Sequence, residues 1–197
     1  MRCGRSQAHT SVDLAPRAAY GARMHVAVTA VGADRPGIVA AVTDVLFTHG
    51  GNLEDSRCAL LGGHFAMVLI VALPDGADSG ALERSLTDAV SGLGVTATVR
   101  PVVEAEAHPL EGTPVLVSVY GGDQPGIVAK VSRALADRGA SITDLATRVI
   151  GGEQPIYVMI LEVRLPSGTS TATLEADLKA LDLGVDVSVR PAESDTL

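Results

Sequence analysis

The sequence is poor in aromatic residues and in cysteine, and each shortage excludes a class of protein. Aromatic side chains make up 3% of the chain and tryptophan is missing, so the stacking platforms that hold single-stranded nucleic acids are not expected. The two cysteines, Cys3 and Cys58, follow neither a metal-ligand spacing nor the pattern of a disulfide-rich secreted domain. Cys58 is expected to be a small buried hydrophobe, and a reducing cytoplasm is the compartment that these residues favour.

Positive charge is sparse as well. The chain has 15 Lys and Arg against 23 Asp and Glu, a net charge of −8, and its basic residues are scattered singly. Because a phosphate backbone requires a clustered positive surface, direct nucleic-acid binding is not expected, and a transcriptional role would act through a protein partner.

Long apolar runs are also missing, since none approaches the roughly twenty residues of a membrane span. Residues 1–23 have arginine near their start but no apolar segment. They therefore predict a disordered leader rather than a secretory signal. Regular patterning begins at Met24, which makes Met24 a candidate start of the native protein.

What the chain does contain is an internal repeat. The string GADRPGIVAAV at 32–42 recurs as GGDQPGIVAKV at 121–131, and LPDG at 73–76 recurs as LPSG at 165–168. Ordered matches of this kind indicate a duplicated unit. We therefore predict a first domain at 24–104 and a second domain at 114–191. A polar linker with proline and glycine joins them at 105–113, and a tail follows at 192–197.

Each repeat shows the same succession of hydrophobic patterns. Apolar residues alternate where strands are predicted and recur at helical spacing where helices are predicted. In the first repeat these elements are a strand at Met24–Val31, a helix at Pro36–His49, strands at Leu53–Leu61 and His64–Leu73, a helix at 79–93 and a strand at Val95–Val103. The order βαββαβ predicts an α+β fold of two ferredoxin-like modules, each an antiparallel sheet with both helices on one face.

The strand at 64–73 is apolar at nearly every position. We expect its two faces to be buried, one of them by the other repeat or by a second chain. Exposed strand edges also favour a homodimer.

The repeated Asp-x-Pro-Gly string lies where the first strand gives way to the first helix. Pro36 is expected at the first helical position, Asp34 is expected to accept a bond from a first-turn amide, and Gly37 lets another group approach the backbone. The remaining first-turn amides lie at the positive end of the helix dipole, so a carboxylate is a suitable ligand. The alternative is that the string only starts a helix.

These residues carry a family resemblance. GADRPGIV, with GGNLEDSR at 50–57 and LGGHFAM at 61–67, resembles the ACT-domain family of amino-acid-sensing modules, and in particular the tandem glycine cleavage system transcriptional repressors. The resemblance covers residues 24–191. It implies that an amino acid, glycine or serine, is held between this turn and the edge of an adjoining module. The residues that it assigns to ligand binding are Asp34, Arg35, Pro36, Gly37, Ile38, Asn52 and Leu53, and in the second repeat Asp123, Gln124, Pro125, Gly126, Ile127, Ser141 and Ile142.

The second repeat departs from the first at two of these positions. Ser141 stands in place of Asn52, whose amide can both donate and accept, and Gln124 stands in place of Arg35, which removes a charge. If one site is active, the first is favoured. A structural role for Asn52 is as well supported as ligand contact, because Asn52 follows two glycines and could serve a left-handed turn.

The resemblance implies a regulator rather than an enzyme. No group of residues supplies a nucleophile, a base and an oxyanion donor together, and the histidines share no metal-ligand spacing, so no cofactor or metal is expected. Two alternatives stay open: a regulatory subunit of an amino-acid metabolic enzyme, such as the acetolactate synthase small subunits that also contain ACT modules, and a ligand-free dimerisation module.

Overall fold

The computed structural model describes residues 24–102, 112–151 and 155–192. The predicted leader, nearly all of the predicted linker and most of the predicted tail lie outside these residues. The described chain forms two compact units.

The first unit is a four-stranded antiparallel sheet with two helices, in strand order β2-β3-β1-β4. Its helices cover one face of the sheet, because both contribute to the same core as the alternate residues of the strands. The elements are β1 Met24–Ala33, α1 Ile38–Thr48, β2 Asn52–Leu61, β3 His64–Leu73, α2 Ser79–Ser91 and β4 Val95–Pro101.

The second unit repeats this architecture, in strand order β6-β7-β5-β8. The prediction of two ferredoxin-like βαββαβ modules is therefore confirmed. The elements are β5 Thr113–Gly122, α3 Ile127–Asp137, β6 Ser141–Ile150, β7 Ile156–Leu165, α4 Thr171–Lys179 and β8 Val185–Pro191.

The two cores follow the predicted hydrophobic patterns. The alternate residues Val26, Val28 and Ala30 of β1 are 0% exposed. Leucine and valine at four-residue spacing on α2 are buried against them, at Leu82, Leu86 and Val90. The second unit has an equivalent core of its own.

β3 departs from its prediction on one face. Met67, Leu69 and Val71 are buried on the face that the helices cover, whereas on the opposite face Val68 is 49% exposed and Ala72 is 1% exposed. The opposite face is therefore buried only in part, at the end of the strand that holds Ala72.

Glycines end α1 and form the turn of the β2–β3 hairpin. The N–H of Gly50, at φ 69°, donates to Phe47 O at 2.9 Å, and the N–H of Gly51 donates to Leu46 O at 2.8 Å. This pair of bonds is the Schellman arrangement that stops a helix. Gly62 and Gly63 have φ of 56° and 80° and join β2 to β3 as a two-residue turn.

The two edges of each sheet differ. On the β4 edge, the Val99 N–H donates to Glu83 Oε1 of α2 at 3.2 Å, and in the second unit the Val189 N–H donates to Glu175 Oε2 at 2.9 Å. At the other edge every residue of β2 is exposed. A helix side chain therefore protects one edge, and the other edge stays open.

Candidate functional site

The first strand–helix turn is built by a proline–glycine pair outside the helix. Gly37 is the N-cap residue of α1, with φ 95° and ψ −7°, and the helix begins at Ile38. Proline followed by a glycine of positive φ is the combination that a type II turn requires. The prediction that Pro36 occupies the first helical position is therefore wrong. Gly126 repeats the conformation at φ 96° and ψ −3°.

The predicted capping role of the aspartates is also wrong. Neither α1 nor α3 has a side-chain cap hydrogen bond, because the turn places Asp34 and Asp123 three residues before the cap. The Asp34 N–H instead donates to Gly63 O at 3.0 Å, which ties the turn to the β2–β3 hairpin.

The first-turn amides of α1 are consequently left without an intrahelical acceptor. The first helix amide with a backbone partner is that of Ala41, which donates to Gly37 O at 2.9 Å. The preceding amides belong to Ile38, Val39 and Ala40, and no hydrogen bond from them is formed within the described residues. These N–H groups lie at the positive end of the helix, where an anion is stabilised.

The surface around these amides is open. A Cβ added to Gly37 would meet no atom within 4 Å, so glycine is required here by its positive φ rather than by crowding. Asp34, Arg35 and Pro36 are exposed. Ile38 is 2% exposed, so its side chain anchors the helix in the core and only its backbone faces the turn.

The second turn has the same backbone but different side-chain contacts. Asp123, Pro125 and Gly126 are exposed, and Ile127 is 2% exposed. Gln124 Nε2 donates to the backbone oxygen of Leu183, in the loop between α4 and β8.

Tyr157 lies close to this second turn. Burial, and secondarily the Asp123 carboxylate, raises the pKa of its phenol, which is hydrogen-bonded to Thr147. The first unit has Phe65 at the position of Tyr157. Tyr157 thus places a phenol next to the second turn, where the first turn has the apolar ring of Phe65.

The other predicted site residues lie at the far end of each sheet. Asn52 and His25 are both opposite Ala72, whereas Ala33, next to the turn, is opposite His64. Eight residues of β3 separate these levels, which is about 26 Å. Ser141, opposite Arg164, lies at the corresponding distant end of the second sheet. Within one unit the structure therefore does not bring these residues to the turn.

Two further predictions about β2 are corrected. Asn52 begins the strand, and Asp182 is the one non-glycine residue with positive φ among those described, so Asn52 does not serve a left-handed turn. Cys58 is exposed rather than buried, because β2 is the open edge strand.

Sequence reasoning missed a small cleft between α1 and β2 of the first unit. Its volume is about 150 Å³. Ser56 lies in this cleft, at the position where β6 has Leu145, so a small residue on the core-facing side of the strand was the available signal. The lining residues are Val39, Thr43, Leu53, Ser56, Arg57, Cys58, Met67 and Leu69.

No group of three or more His, Cys, Asp or Glu side chains in the described residues could hold a metal ion. No helix within the same ranges is long and apolar enough to cross a membrane.

Known proteins are similar to this chain in sequence and in architecture. A family model described as ACT domain matches residues 24–100 and 113–190. The glycine cleavage system transcriptional repressor of Escherichia coli is 26% identical over 160 residues, which is 80% of this chain and 83% of the repressor.

Two further proteins extend this likeness. The UPF0237 protein of Methanopyrus kandleri is 45% identical over 74 residues, 37% of this chain and 82% of that protein. The crystal structure of an unknown protein from Galdieria sulphuraria superposes with a TM-score of 0.74 at 27% identity, covering 87% of this chain and all of the other.

Proposed function

The chain belongs to the ACT-domain family, and from this premise we propose that it is an amino-acid-binding regulatory protein that resembles the glycine cleavage system repressors. The observation that carries the proposal is the open turn of the first unit. The first three amides of α1 have no hydrogen-bond acceptor among the described residues. The residue before them, Gly37, has a positive φ, and a Cβ added to it would meet no atom within 4 Å. A free amino acid brings the carboxylate that such amides bind.

The proposed ligand is glycine or serine, as in the family that the sequence resembles. Charge-assisted hydrogen bonds to backbone amides contribute about 1.5–3 kcal/mol each. Two or three of them retain a small acid at about millimolar concentration once the cost of association is subtracted. Asn52 and Leu53 lie too far from their own turn to touch the same molecule, so we assign their part of the site to a ligand held by a second copy of the chain.

The regulatory step follows from such a shared site. A ligand that contacts two copies of the chain favours the arrangement in which both contacts are made, and it shifts the equilibrium by its difference in affinity. We propose that a cytoplasmic homodimer presents a different surface to a protein partner when the amino acid is bound. The net charge of −8 favours a protein partner over nucleic acid. Regulation, not catalysis, is the activity assigned here.

The proposal is tested by thermal-shift and calorimetric titration of the full chain with each of the twenty amino acids. Glycine or serine is expected to raise the unfolding temperature and to bind with measurable heat. If none of the twenty does so, the chain is not an amino-acid sensor. The open β2 edge then favours the second candidate, a ligand-free dimerisation module.

Co-purification from cells of origin distinguishes the regulatory targets. A transcription factor that associates with the chain supports the repressor-like role. A stoichiometric metabolic enzyme would instead identify the chain as a regulatory subunit of that enzyme.

A further inference from the structure

The two Asp-x-Pro-Gly turns have nearly identical backbones. Gly37 and Gly126 differ by one degree in φ, at 95° and 96°. Neither glycine has an atom within 4 Å of an added Cβ, and neither helix has a side-chain cap. Whatever distinguishes the two turns as ligand sites must therefore come from side chains.

The residue before proline makes that distinction. In the second unit, Gln124 donates its amide to Leu183 O, and a Cβ built on Gly184 would lie 3.5 Å from the same nitrogen. The corresponding glycine of the first unit, Gly94, has no atom within 4 Å of an added Cβ. Arg35 therefore does not lie over its loop as Gln124 does.

The two side chains also differ in charge. Arg35 is exposed and has a planar fork of donors that suits a carboxylate. It offsets the charge of Asp34 in the first turn, whereas Asp123 in the second turn has no cation beside it in the Asp-x-Pro-Gly string. A carboxylate that approaches the second turn therefore meets the Asp123 charge without an adjacent arginine in the string.

Tyr157 adds to the difference. It is 8% exposed, it bonds to Thr147, and Asp123 is close enough to act on its phenol. Phe65 takes its place in the first unit. The second turn thus has a phenol beside it where the first turn has the apolar ring of Phe65.

We propose that the residue before proline selects the site: Arg35 makes the first turn the carboxylate receptor, and Gln124 closes the second turn onto its own loop, so that one chain binds one amino acid. This inference rests on the proposed amino-acid binding. It adds the stoichiometry and the specificity-determining residue.

Calorimetry and native mass spectrometry of the full chain with glycine and with serine test the proposal. Wild type is expected to bind one equivalent per chain. Arg35→Gln should weaken binding by about tenfold or more, and Arg35→Lys should recover part of the loss because it keeps the charge. Arg133→Gln, which removes an exposed arginine from α3, is the matched control and should bind as wild type does. Gln124→Arg should add a second equivalent.

Hydrogen exchange of the ligand-free protein tests whether Gln124 closes the second turn onto its own loop. Gln124→Ala should speed hydrogen exchange in the loop at 180–184, and Arg35→Ala should leave the equivalent loop at 91–94 unchanged. Equal rates in wild type and Gln124→Ala would refute the contact with Leu183.

The outcomes separate this inference from the proposed function. Two equivalents bound to wild type, or unaltered affinity in Arg35→Gln, would overturn the inference and leave amino-acid binding intact. No binding of either amino acid to wild type or to any variant would overturn both.

Discussion

The two units share one backbone plan but differ in how their second helices are anchored. α2 of the first unit has thirteen residues and buries Leu82, Leu86 and Val90. α4 of the second unit has nine residues and buries Leu174 and Leu178. Asp182, which precedes Leu183-Gly184 as Gly92 precedes Leu93-Gly94, takes a φ of 47° after α4 has ended at Lys179. The sheet that the shorter helix covers has the same strand order as the sheet of the first unit.

Polar contacts between the helices differ in the same way. His49 Nε2 and Ser85 Oγ are 3.1 Å apart in the first unit. The same two positions in the second unit hold an ion pair between Arg138 and Asp177. The two repeats therefore connect their helices at the same positions but with different side chains.

The largest effect is expected from removing equivalent core leucines. Leu82→Ala and Leu174→Ala each delete a side chain that is 0% exposed, which costs about 2–5 kcal/mol depending on how far the cavity collapses. Leu174→Ala should be more damaging to its unit, because α4 has two buried leucines and α2 has three anchors. Urea unfolding with hydrogen exchange measures each loss. Equal loss of protection in both units from either variant would contradict two separate cores.

An intermediate effect is expected at the turn glycines. Gly37→Ala and Gly126→Ala each put a Cβ into open space but at a φ near 95°, so each should cost about 1–2 kcal/mol for conformation alone. Gly92→Ala is the matched control, with a φ of −71° and no atom within 4 Å. It should be neutral or stabilising by about 0.4–1 kcal/mol. Similar losses in thermal unfolding for all three would show that φ is not the cause.

The element order and both cores could be predicted because hydrophobic spacing determines them locally. The start of α1 could not, because a Pro-Gly pair suits either a first helical turn or a type II turn, and only the placed φ of Gly37 decides. Strict alternation would also put Glu54 and Asp55 on opposite faces of β2, but a bulge lies between Leu53 and Asp55.

The candidate site was predictable in part for a related reason. The turn is a contiguous string, so its residues could be found from sequence. The distance between Asn52 and that turn depends on the pairing of β2 with β3 and of β3 with β1, which no local pattern encodes.

The smallest effect is expected at the N-caps of the second helices. Asp78 caps α2 by accepting from Ala81 and Gly80, and these amides, with the larger share from Ala81, lower the pKa of its carboxyl below the ordinary 3.8. Ser170 caps α4 without a titrating group. Because the folded-state pKa is depressed, the ionised cap stabilises above the unfolded pKa, and this stability is lost as pH falls through the folded value.

Asp78→Ser keeps an acceptor but removes the charge. It should unfold at slightly lower urea than wild type near neutral pH, and the difference should vanish as the pH falls below 3.8. The reciprocal Ser170→Asp should give the second unit the acid-sensitive cap that it lacks. The urea midpoints of wild type and Asp78→Ser could instead differ by the same amount at all pH values. That result would mean that the carboxylate acts through packing, and that the two caps differ in shape rather than in charge.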